Sequence, residues 1–192
     1  MLLNVFGRKI FVYKNIPYSE IGPGTEYAKE LDDYLNFIVG KSELPLGEVQ
    51  SSVSERQGLG KLSGTKTLIE ILTPYKEIME QEYGFRYSSD ILLRIWANRM
   101  FKDSIGRTHM HTPASNMVGI FYYEVPKGSG NLVFVNNKEQ FKTDEEIDSS
   151  LKFELEIEQG MLVCHPPMLN HTVSRHTSEY PRTSIIFEIQ YE

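Results

Sequence analysis

The chain has 192 residues, 40% of them hydrophobic and 24% charged, with a net charge of -6 at pH 7. That balance fits one soluble globular domain, and an acidic chain without a basic stripe argues against a nucleic-acid partner. No apolar run approaches the roughly 20 residues of a membrane span, and Asn4, Arg8 and Lys9 follow Leu2 and Leu3 too soon for a secretion signal. The single cysteine, Cys164, sits in an apolar stretch and fits a buried thiol in a reducing compartment, so a cytoplasmic location is expected.

In chain order, residues 3–6 and 9–13 read as two short strands around Gly7-Arg8, ended by Asn15-Ile16-Pro17. Thr25 is placed to cap a helix whose Ala28, Leu31, Leu35 and Ile38 follow helical spacing, with Gly40 to end it. Residues 41–64 are rich in Gly, Ser and Pro and read as a mobile surface loop over a site. Leu68, Leu72, Tyr75 and Met79 mark a second helical face that Gly84 ends. Within it, Pro74 either kinks the helix or starts a new one capped by Thr73.

Beyond residue 90 the pattern changes to short apolar or alternating runs separated by Gly, Pro, Asn and Asp. They span residues 91–98, 117–125, 131–135, 151–157, 161–164, 171–174 and 183–191. In 152–158, Phe153, Leu155 and Ile157 alternate with charged residues, as a strand with one wetted face should. The expected class is α+β, mainly β: one domain in which residues 1–89 supply strands and buttressing helices, and residues 90–192 form a sandwich or barrel.

Four residues of this second part carry chemistry. His109 and His111, at i and i+2 on an extended segment, face the same way, so one distant strand bearing His171 completes a set of three imidazoles. Neutral imidazoles bind Fe, Zn, Cu or Ni at roughly 2.0–2.2 Å, and three on one side leave positions open for substrate or oxygen. Arg182 follows eleven residues after His171, in the run Arg182-Thr183-Ser184. A His-X-His pair alone is more often a surface or core feature; the two distant residues make the metal reading the stronger one.

These pieces resemble the 2-oxoglutarate and Fe(II)-dependent oxygenases, in particular the prolyl-hydroxylase-like branch. The matching segments are His109-Met110-His111, Gly119-Ile120-Phe121-Tyr122-Tyr123, Gly130-Asn131-Leu132-Val133-Phe134, Gly160 to Pro166, His171 and Arg182-Thr183-Ser184. The resemblance implies a double-stranded β-helix (jelly roll) core, with iron held by His109, His111 and His171 and with 2-oxoglutarate and O2 as cosubstrates. It also implies that Arg182 anchors the distal carboxylate of 2-oxoglutarate, helped by Ser184 and by Tyr122 or Tyr123. Asn98 is a further candidate contact, with Trp96 on the same face. The implied activity is hydroxylation of a peptide, a protein side chain or a small metabolite, selected by loops 41–64 and 101–108.

The family normally carries a carboxylate two residues after its first histidine, where this chain has His111. That exchange makes the site more positive by one charge, which favours binding of dianionic 2-oxoglutarate while altering the redox behaviour of the metal. Asp103 is an alternative ligand, while His165 and His176 lie at the wrong spacing and read as supporting or surface residues. Two other functions fit parts of the pattern. One is a cupin-like three-histidine metalloenzyme without 2-oxoglutarate; the other is a non-catalytic jelly-roll binding protein.

Overall fold

Residues 117–123 are buried on both faces, and the reason is a three-layer arrangement around them. The computed structural model describes residues 1–37, 47, 49–52, 59–83, 92–113, 115–136 and 141–190. Its strands are β1 (Leu2–Val5), β2 (Arg8–Tyr13), β3 (Val49–Ser51), β4 (Leu92–Met100), β5 (Met117–Glu124), β6 (Leu132–Val135), β7 (Lys152–Leu155), β8 (Leu162–His165), β9 (His171–Val173) and β10 (Arg182–Gln190). A seven-stranded sheet runs β1-β2-β8-β5-β10-β4-β3, and a three-stranded sheet runs β7-β6-β9, with every pairing antiparallel.

Alternate residues of the large sheet serve two different cores. Phe121, Tyr123, Leu162, Cys164, Ile185 and Phe187 point away from the small sheet and pack with helices α1 (Glu26–Phe37) and α2 (Thr65–Tyr83). Val118, Ile120, Tyr122, Val163 and Ile186 point inward and meet Leu132, Phe134 and Leu155 of the small sheet. The expected jelly-roll layout with helices against one sheet is what forms, and all seven expected strands beyond residue 90 are present.

Local chemistry explains the helices. The Thr25 hydroxyl accepts a hydrogen bond from the Ala28 amide at 3.3 Å, satisfying one orphan donor of α1, and Glu26 complements the helix N-terminus. The buried stripe of α1 is Tyr27, Leu31 and Leu35, with Ala28 only flanking it. Gly64 makes room for that stripe, since a β-carbon there would stand 2.7 Å from the Tyr27 ring. Helix α2 runs unbroken past Pro74, and Thr73 is not a cap: its hydroxyl donates back to the Ile69 carbonyl at 2.7 Å. The expected helix ends at Gly40 and Gly84, and most of the expected loop 41–64, lie outside the described residues. No helix among the described residues is long and apolar enough to cross a membrane.

Two glycines of the sequence pattern answer to close packing. A β-carbon on Gly130, entering β6, would lie 1.9 Å from the Ser174 carbonyl oxygen; one on Gly119, in β5, would lie 2.0 Å from the Phe187 ring. Both spots are filled from the neighbouring strand, so any side chain there pushes strands apart.

Candidate metal and cosubstrate site

The segment carrying His109 adds itself to the edge of the small sheet. His109 and His171 exchange backbone hydrogen bonds at 3.0 and 3.1 Å as an isolated antiparallel bridge, which sets the two side chains opposite each other. The His111 amide donates to the Pro167 carbonyl at 2.9 Å, holding the second histidine to the turn before β9. One ring nitrogen from each of His109, His111 and His171 then lies within 4.8 Å of the others. Sixty residues of chain separate His111 from His171, and the short bridge removes that separation.

Each ring has one nitrogen already occupied. Nδ1 of His109 faces the Arg107 carbonyl at 2.9 Å, Nδ1 of His171 faces the Leu169 carbonyl at 2.9 Å, and Nδ1 of His111 faces Oε1 of Glu188 at 2.7 Å. A carbonyl can only accept, so these bonds require the proton on Nδ1 of His109 and His171 and leave Nε2 as the lone-pair donor. Burial, followed by the charge of neighbouring imidazoles, holds His109 down to about 4 and His171 well below its ordinary value. Both rings are therefore neutral near pH 7, the form that binds a metal. The three-imidazole donor set, with two of its rings neutral and turning Nε2 outward, fits a transition metal such as iron.

A cavity of about 340 Å³ opens on the three imidazoles, with Arg182, Ser184 and Asn98 along its wall. Arg182 is 3% exposed and donates to Met100 Sδ at 3.5 Å; among the described residues no carboxylate pairs with it. Its guanidinium carbon lies 5.0 Å from the centre of the Tyr122 ring, a cation–π contact. A buried guanidinium without a counter-ion is costly, and it is an anion site by charge and shape. Ser184 sits opposite Asn98 on one side and Tyr122 on the other, so β4, β10 and β5 bring these three to one level of the sheet.

The expected residues thus gather, with differences of detail. Tyr122 is fully buried behind Arg182 and is not among the residues lining the cavity, and burial pushes its phenol up to about 12 against the charge of Arg182. Tyr123 faces the helices instead and donates to the Ile21 carbonyl at 2.5 Å. The side-chain oxygen of Asn98 accepts from Ser51 Oγ at 2.5 Å. Trp96 lines the cavity, its ring 5.9 Å from that of His111. Asp103 is exposed in a turn and is not part of the cavity wall.

The structure also places four further residues. His165, expected to be supporting or at the surface, is buried with its ring 4.6 Å from that of His171, and burial holds it down to about 3. His176 is also buried, with Nε2 against the Tyr180 carbonyl at 2.9 Å. Arg107 lines the cavity, and Glu188 reaches both His111 and, at 3.5 Å, Arg94. Burial pushes the Glu188 carboxyl up, but the His111 hydrogen bond and charge, followed by Ser115 and Arg94, outweigh it and hold the group below its ordinary value. The period of two along β10 could have found Glu188: Arg182, Ser184, Ile186 and Glu188 all face the cavity.

Residues 94–188 match a family model described as "Putative 2OG-Fe(II) oxygenase". Among solved structures, a prolyl-4-hydroxylase from Pseudomonas putida is similar with a TM-score of 0.66 at 9% identity, covering 95% of this chain and 92% of its own. HygX from Streptomyces hygroscopicus, solved with nickel and 2-oxoglutarate, gives 0.61 at 11% identity, covering 95% and 82%. A prolyl hydroxylase from Trichoplax adhaerens, solved with a peptide fragment of hypoxia inducible factor, gives 0.56 at 9% identity, covering 94% and 83%. No curated protein matches the chain in sequence. At such identities the structural likenesses establish the fold, and the family match spans β4 to β10, the strands that build the cavity. The chain belongs to the 2-oxoglutarate and Fe(II)-dependent oxygenase superfamily.

Proposed function

We propose that this protein is an Fe(II)- and 2-oxoglutarate-dependent dioxygenase that hydroxylates a peptide, a protein side chain or a small metabolite. His109, His111 and His171 hold the metal, and Arg182 with Ser184 binds the distal carboxylate of 2-oxoglutarate. The observation that carries this reading is the sharing of one cavity by three imidazoles and a buried guanidinium without a carboxylate partner among the described residues. Bound iron supplies the oxidation of cosubstrate and substrate by O2. The residues of the chain do the rest: the Nδ1 bonds fix the ring orientations, Arg182 fixes the cosubstrate by charge and geometry, and Trp96, Ile120 and Leu132 keep the cavity wall apolar.

A cosubstrate-free three-histidine enzyme has no use for a buried cation at this position, so Arg182 favours the 2-oxoglutarate reading. The test is spectroscopic. Anaerobic protein with Fe(II) and 2-oxoglutarate is expected to show the weak visible charge-transfer band of the chelate, absent in Arg182→Ala although metal stays bound. No band at saturating cosubstrate would move the assignment to the cosubstrate-free enzyme.

A further inference from the structure

The three imidazoles bring no negative charge to the site, yet a carboxylate stands directly behind one of them. Glu188 is buried on β10, four residues beyond Ser184 on the same inward face, with Oε1 2.7 Å from Nδ1 of His111. The other two imidazoles turn Nδ1 to neutral backbone carbonyls, at 2.9 Å each. Of the three, only His111 is backed by a carboxylate. Arg94, the other contact of Glu188, is more distant at 3.5 Å and its side chain is 35% exposed, so solvent weakens its hold on that charge.

We propose that Glu188 is a positioning residue that supplies a negative charge to the metal site through His111. This rests on the metal-site reading above. A carboxylate accepting the Nδ1 proton raises the basicity of the ring and locks Nε2 toward the metal, so His111 with Glu188 acts as one anionic unit. The all-imidazole donor set is thereby balanced by a carboxylate one bond layer further out. The strand β10 then carries both electrostatic devices of the site, the cosubstrate cation at Arg182 and the compensating anion at Glu188.

The experiment uses Co(II) with the metal-free, full-length protein, followed by its visible absorption. Glu188→Gln keeps shape and an acceptor but removes the charge, and it is expected to weaken Co(II) binding by about 10- to 100-fold. Arg94→Gln breaks the same ion pair from the other side and is expected to leave affinity within about threefold, since the pair with His111 survives. Proton NMR of the Co(II) form should show exchangeable ring N–H signals, of which Glu188→Gln moves that of His111 and leaves those of His109 and His171. Equal losses in Arg94→Gln and Glu188→Gln, or Co(II) affinity of Glu188→Gln within threefold of the parent, would overturn the proposal. His171→Ala separates this from the parent reading. If that variant loses Co(II) while Glu188→Gln does not, only the role of Glu188 fails; if it retains Co(II), the metal site itself is wrong.

Discussion

Replacing Arg182 by methionine should move cosubstrate affinity and stability in opposite directions. The guanidinium is 3% exposed, donates a weak bond to Met100 Sδ at 3.5 Å and rests on the Tyr122 ring at 5.0 Å. Truncating one partner of a buried charged pair costs about 2–5 kcal/mol. At about 1.4 kcal/mol per decade, 2-oxoglutarate should bind roughly 30-fold to several thousand-fold more weakly to the variant. Without cosubstrate the ledger reverses. Exchanging a buried charge for an apolar side chain gains about 1–4 kcal/mol, against about 0.5–2 kcal/mol lost from the cation–π contact. The metal-free variant should melt at the same temperature as the parent or a few degrees higher. Isothermal titration of 2-oxoglutarate into the Mn(II) form, with thermal melts of the metal-free form, reads both quantities. A variant that melts well below the parent and still binds 2-oxoglutarate normally would show Arg182 to be a structural residue and refute the argument.

Three further outcomes follow from the same geometry. His171→Ala should abolish tight metal binding, measured by Co(II) absorption, because it removes the ligand that His109 bridges directly; unchanged affinity would dissolve the site. Unfolded histidines take their proton near 6.5, whereas folded His109 does so at about 4, His165 at about 3 and His171 well below 6.5. Below pH 6.5 the unfolded chain therefore binds more protons, so this stabilisation is complete above about pH 6.5 and lost progressively as the pH falls through about 4 toward about 3. A melting temperature of the metal-free protein that stays flat between pH 7 and 4 would contradict it. Gly119→Ala should cost about 3 kcal/mol through the collision with Phe187, lowering the melting temperature by about 6–12 °C. Phe187→Leu should recover much of that loss in the double variant, and strictly additive losses would place the strain elsewhere.

Much of the architecture was legible because it is governed by local periodicity. Alternation and turn residues marked the seven strands beyond residue 90, and Thr25 with Leu31 and Leu35 marked α1, since these signals depend on neighbours within a turn or a strand. Pro74 was ambiguous because a helix tolerates proline when its packed face holds, and Leu68, Leu72 and Tyr75 hold this one against the sheet. The choice between Tyr122 and Tyr123 was undecidable from spacing: adjacent strand residues face opposite ways, and only the position of the helices says which face is the cavity.

The sequence by itself determined the candidate residue types and their order, His109, His111, His171 and the trailing Arg182, and the family resemblance added the expectation of a carboxylate where His111 stands. Covalent spacing and side-chain chemistry suffice to make those four candidates. Tertiary structure alone decided which polar groups stand behind them. Glu188 lies 77 residues from His111, and His165 reaches the site by the pairing of β8 with β5, which no local pattern encodes. The charge balance of a buried site depends on distances of a few ångströms between such remote residues, and only the packed sheets set those distances.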